Sequence, residues 1–106
     1  MPKFLFEASY APEGVKGIQS AGGTSRVKAV SDVTESLGGK VESFNFAFGG
    51  SDAYVIVDLP DNEVAAAIAL AVNATGAVSV KTAVLLTPEE VDAAAKRSVE
   101  YRPPGG

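Results

Sequence analysis

The stretch from Phe46 to Asn62, FAFGGSDAYVIVDLPDN, restricts the fold more than any other segment. Two apolar runs, Val41–Phe48 and Ala53–Leu59, flank Gly49-Gly50-Ser51-Asp52. Strands joined across so short a gap pair antiparallel. Glycine supplies positive φ and aspartate tolerates turn geometry, so the four residues read as a hairpin tip. A phosphate cradle belongs between a strand and a helix N-terminus instead. With Gly50 and Ser51 at the tip, Phe48 is expected opposite Ala53, Phe46 opposite Val55, Phe44 opposite Val57 and Glu42 opposite Leu59. One face then carries Phe44, Phe46, Phe48, Val55, Val57 and Leu59 and belongs under helices. The other carries Ser43, Asn45, Ala47, Tyr54, Ile56 and Asp58.

The remaining elements follow from periodicity and caps. Lys3 to Tyr10 has strand character, with three aromatics and no breaker. Pro12 opens a helical turn, the Gly22-Gly23 pair interrupts it, and Thr24 and Ser25 offer caps for a second start. Val27, Val30, Val33 and Leu37 then recur at helical spacing until Gly38-Gly39. Asp61 or Asn62 starts the next helix, with Val64, Ile68 and Val72 on one stripe and Gly76 as its stop. Val78–Leu86 is a fourth strand, and Thr87-Pro88-Glu89-Glu90 is a capping box opening a last helix expected to run to about Val99. The order βαββαβ plus a terminal helix predicts an α+β fold of ferredoxin-like type, an antiparallel sheet with helices on one face. We expect one domain over residues 1–106, with a flexible tail from about residue 100.

Alternation assigns the outer strands in the same way. Phe4, Phe6 and Ala8 suit the core, as do Val78, Val80, Val84 and Leu86. The open face receives Leu5, Glu7 and Ser9 from the first strand and Ser79, Lys81, Ala83 and Leu85 from the last. Such a face is too apolar for water and too polar for a second core, which predicts a partner sheet or a ligand over it. In the strand order 4-1-3-2, Glu7 lies between Lys81 and the Tyr54/Ile56/Asp58 row. Glu7, Asn45, Tyr54, Asp58 and Lys81 are therefore the candidate ligand-binding residues. Glu7 and Lys81 have proton-transfer chemistry, and Tyr54 and Asn45 can donate to a carbonyl. The competing reading makes Glu7 and Lys81 a cross-strand pair at an interface.

Composition removes several classes of function. Cysteine and histidine are both absent, which excludes thiol and imidazole catalysis and the usual soft metal ligands. No cofactor and no metal site is expected: Asp58, Asp61 and Glu63 lack calcium-loop spacing, and Asp61 reads as a helix cap. The net charge of −4 opposes nucleic-acid binding. Without a leader-like or membrane-spanning stretch, a soluble cytoplasmic protein is expected. GIQSAGGT imitates a phosphate-binding loop, but Gly23 stands at the lysine position and no strand precedes it. It reads as a break between helical segments, of the kind that borders a pocket. Arg26, Lys28 and Arg102 read as solvated.

KFLFEASY, SLGGKVESF, FGGSDAYVIVDLPDN and LLTPEEVDAA together resemble the GYD-domain family, within the ferredoxin-like dimeric α/β-barrel group. That family takes its name from a Gly-Tyr-Asp tripeptide at the hairpin, where this chain has Gly50-Ser51-Asp52. The resemblance implies a homodimer or larger homo-oligomer built on the open sheet face and carries no reaction with it. The wider group includes cofactor-free oxygenases, isomerases, lyases, haem enzymes and plain ligand binders. The expected function is binding of a small organic molecule at the open face, with cofactor-free acid/base chemistry. The alternatives are a structural or regulatory homo-oligomer and, weakened by the absent histidine, a haem protein.

Overall fold

In the computed structural model, which describes residues 1–106, eight elements follow one another. They are β1 (Lys3–Tyr10), α1 (Pro12–Ala21), α2 (Gly23–Ser36), β2 (Lys40–Phe46), β3 (Ala53–Asp58), α3 (Asn62–Ala74), β4 (Val78–Leu85) and α4 (Pro88–Ala95). Local chemistry explains most boundaries. Asp61 caps α3, its carboxylate accepting from the Val64 N–H at 2.9 Å. Thr87 and Glu90 close a reciprocal capping box on α4. At the end of α2 the Gly38 and Gly39 N–H groups donate to Glu35 and Thr34 carbonyls, with Gly38 at φ +83°, a Schellman closure. Two helix boundaries differ from expectation. Gly22 rather than Thr24 or Ser25 precedes α2, with no side-chain cap, and α4 ends at Ala95 rather than near Val99.

The four strands form one antiparallel sheet in the order β2-β3-β1-β4. The hairpin between β2 and β3 exists, but its register is two residues away from the expected one. Phe46, not Phe48, lies opposite Ala53, and Phe44 lies opposite Val55. The Ala47 N–H donates to the Asp52 carbonyl at 2.8 Å, so residues 47–52 form a wider loop. Phe48 is swept into solvent. A slip of two preserves side-chain parity, and Phe44 and Phe46 keep their side of the sheet. Further down, the register shifts between Val41 and Ser43. This bulge returns Val41 to the core side and leaves Glu42 on the open face.

The core lies between the sheet and the helices, centred on Phe4, Phe6, Val55, Val57, Leu59 and Ala65. Phe4, Val57 and Leu59 are wholly buried, each contributing roughly 1.5–3 kcal/mol by removal from water. Val64 and Ile68 pack on this cluster and Val72 on a smaller one at Ala8, Ala53 and Val78. The helices do not close over the sheet. α2 packs on β2 and α3 on β4, but the two scarcely touch each other. Val33 and Leu37 on the expected stripe of α2 are consequently exposed, as are Val84 and Leu86 at the end of β4. α4 packs substantially on no other element and stands away from the body. The radius of gyration, 16.7 Å, exceeds the roughly 13 Å of a compact chain this long. No helix is long and apolar enough to cross a membrane.

Candidate functional site

Pairing on the open face puts four of the five candidate residues on a single rung. Asn45 lies opposite Tyr54, Tyr54 opposite Glu7, and Glu7 opposite Lys81. Their side chains share one face because β1, β2, β3 and β4 are in phase there. The next rung, Ser43–Ile56–Leu5–Ala83, is largely apolar. Glu7 is half-buried, whereas Asn45, Tyr54 and Lys81 are exposed. Glu7 and Lys81 make no ion pair despite facing each other across the strands. None of the five principal cavities is lined by any of these four residues or by Asp58. The rung is an open row of polar groups in the single chain.

Asp58 is not part of that row. It sits four residues from Tyr54 along β3, about 13 Å away at strand rise. There Lys3 Nζ bridges it at 2.8 Å to Glu42 at 3.1 Å, tying β1, β3 and β2 together. The hydrogen bond to Asp58, then that to Glu42, raises the Lys3 pKa above its ordinary 10.5. Lys28 is raised likewise by Asp32 one turn along α2. No cluster of three or more carboxylates is close enough to hold a metal ion.

The helical side of the sheet holds what the sequence reading missed. Asp52 of the Gly50-Ser51-Asp52 loop reaches back to β1: its carboxylate accepts from the Tyr10 N–H at 2.8 Å, and its own N–H donates to the Ala8 carbonyl at 2.8 Å. The loop thus anchors the strand end that presents Tyr10. The Tyr10 ring lies beneath the Arg26 guanidinium, 5.8 Å from centroid to Cζ, within cation–π range. Arg26 forms no ion pair, and its Nε is buried without a hydrogen-bond partner. An unsatisfied buried donor costs about 1–3 kcal/mol.

Three adjoining cavities, about 270, 50 and 570 Å³ in volume, meet at Arg26 and Val78. The first opens at the α1–α2 break, against Ile18, Ala21, Gly22 and Ala29, which is where the glycine pair was expected to border a pocket. The third is the uncovered gap between α2 and α3. Arg26 is therefore no solvated surface arginine, unlike the exposed Arg102. The sequence signal for it was the Gly22-Gly23 break, which alone does not say which side chain turns inward.

No curated protein and no solved structure is a significant match to the chain. The family profile described as the GYD domain does match, over residues 4–95, from the first buried residue of β1 to the end of α4. It takes in the Asp52 loop, the open rung and Arg26 alike. With nearly its whole length inside that match, the chain belongs to the GYD domain family.

Proposed function

We propose that this chain works as a homodimer in which two open sheet faces meet, the ferredoxin-like dimeric barrel, and that a small organic molecule binds between them. The observation that carries the proposal is surface. The chain exposes 7281 Å², whereas a compact monomer of this mass exposes about 5,500 Å². The excess is about twice the ~800 Å² that one partner contributes to a standard interface. Exposed apolar side chains mark where part of it lies: Tyr54 on the open face, Val91 on α4, Val99 and Tyr101 in the C-terminus, and Val33 and Leu37 at the gap beside α2.

In such a dimer the Asn45–Tyr54–Glu7–Lys81 rung is roofed by a second copy and withdrawn from bulk water. Glu7 and Lys81 then form a carboxylate and an ammonium within one dry row, where each responds strongly to the other's charge. Proton transfer without a cofactor is the chemistry such a pair supports, with Tyr54 and Asn45 as donors to a carbonyl. Asp58 belongs to the Lys3 corner of the same face and lends it charge rather than a reacting group. A second reading, a structural homo-oligomer whose rung is filled by its partner, is favoured by the lack of any principal cavity at Glu7.

Native mass spectrometry of protein purified from its own host tests both. A dimer carrying a small species that is lost on denaturation supports the binding reading. Glu7→Gln then separates the two: loss of the small species with the dimer intact supports a site, and loss of the dimer supports a packed interface. A monomer at micromolar concentration overturns the open-face proposal.

A further inference from the structure

We infer that the cavity at the α1–α2 break is a second binding site, independent of the dimer, for a monocarboxylic acid with an apolar body. Arg26 is its anchoring residue. Three observations converge on this chemistry. Arg26 is the one charged residue lining any of the three cavities that meet there, so a ligand needs one ionic end and an otherwise apolar surface. Its Nε is buried without an acceptor, so the edge left to a carboxylate is the fork of the two terminal guanidinium nitrogens, which holds it through two parallel hydrogen bonds. The protein supplies no carboxylate of its own to Arg26.

The ligand's charge is set by counting. A phosphate monoester brings close to two negative charges and calls for more than one cation, whereas a carboxylate matches a single guanidinium. The uncapped start of α2 lies beside the same cavity at Gly22 and Ser25, but the last turn of α1 lines it as well, so the two opposed helix ends offset each other and Arg26 sets the field. The apolar body has two routes away from the guanidinium. One passes Ile18, Ala21 and Ala29; the other enters the gap between Val33 and Leu37 of α2 and Val72 of α3. Tyr10, held in place by the Asp52 carboxylate, is the wall that positions the arginine. On this reading the loop that names the family acts at a distance, by fixing the strand end on which the anion site is built.

The test uses octanoate, octan-1-ol and octylammonium as probes, with chemical shifts of the whole isotope-labelled protein as readout. Octanoate is expected to bind about tenfold or more tightly than octan-1-ol, with shifts centred on Tyr10, Gly22, Ser25 and Arg26. Octylammonium is expected to bind more weakly than the alcohol. Arg26→Met retains an apolar stem of similar reach. It is expected to reduce octanoate affinity to that of the alcohol while leaving alcohol binding unchanged. Ala29→Phe, which fills the cavity, is expected to weaken both. Equal binding of acid and alcohol to the wild-type protein overturns the inference without any variant. So does an absence of octanoate binding at millimolar concentration, or shifts centred on Glu7 and Tyr54 of the open face. Because Arg26 lies on the opposite side of the sheet from Glu7, failure of this site leaves the dimer proposal standing, and the reverse holds too.

Discussion

Replacing each glycine of the Gly38-Gly39 pair by alanine separates two physical costs that look identical in sequence. Gly38 sits at φ +83°, but a Cβ there meets nothing nearer than Pro60 Cγ at 3.6 Å. Its alanine variant has room and suffers only the left-handed backbone, about 1–2 kcal/mol. Gly39 has no positive φ, yet its Cβ would stand 2.7 Å from Leu59 Cδ2 and closer still to the Asp58 carbonyl oxygen. Neither neighbour yields easily, because Leu59 is wholly buried and Asp58 ends β3. Forcing them apart costs about 3 kcal/mol or more, at the upper end for an overpacked core. At roughly 4–8 °C per kcal/mol for a domain near this size, Gly39→Ala should melt on the order of 15 °C below wild type and Gly38→Ala about 5–10 °C below. Circular-dichroism melts at one fixed protein concentration, with urea titrations for the free energies, measure both. If Gly38→Ala proves the more damaging, the close packing of the α2–β2 turn on β3 is wrong as argued.

Leu59→Ala, at the centre of the core, should cost about 2–5 kcal/mol in urea unfolding; a loss below 1 kcal/mol would show that the site is open to water. Asp52→Ala removes the acceptor of the Tyr10 N–H and should cost about 1.5–3 kcal/mol. Its chemical-shift changes should reach Arg26 across the sheet, and changes confined to the loop would contradict the anchoring role. The Lys3 pKa is raised on folding, so its contribution to stability is complete below its ordinary value of 10.5 and is lost as pH rises through the higher folded value. Wild-type protein should therefore lose stability above about pH 10.5 by more than Lys3→Met does, and parallel alkaline profiles would refute the linkage. Deleting residues 87–106 should leave the melting of the remaining body nearly unchanged, because α4 packs substantially on no other element, while weakening self-association measured by sedimentation. A collapse of the body would show that α4 is part of the core.

Most local decisions were carried by the residues themselves, although neither Thr24 nor Ser25 caps α2 and α4 stops short of Val99. Asp61, the Thr87–Glu90 box, Pro12, Gly38 and Gly76 mark their helix ends because a cap needs only a few neighbouring atoms. The alternation of Phe4, Phe6 and Ala8 with Leu5, Glu7 and Ser9 divides the sheet into a core face and an open one, since side-chain period in a strand is a property of the backbone. That alternation also put Glu7, Tyr54, Asn45 and Lys81 on the open face. Tertiary packing decided the rest. The hairpin register depends on the Asp52 loop being held by Ala8 and Tyr10, residues more than forty positions away, and a slip of two is invisible to parity. Asp58 went to Lys3 because the β1–β3 register sets the two directly opposite each other, and the bulge between Val41 and Ser43 brought Glu42 to the same ammonium. Arg26 turned inward because α2 and α3 pack on opposite edges of the sheet and leave a gap between them, and no pattern within one helix records the distance to another.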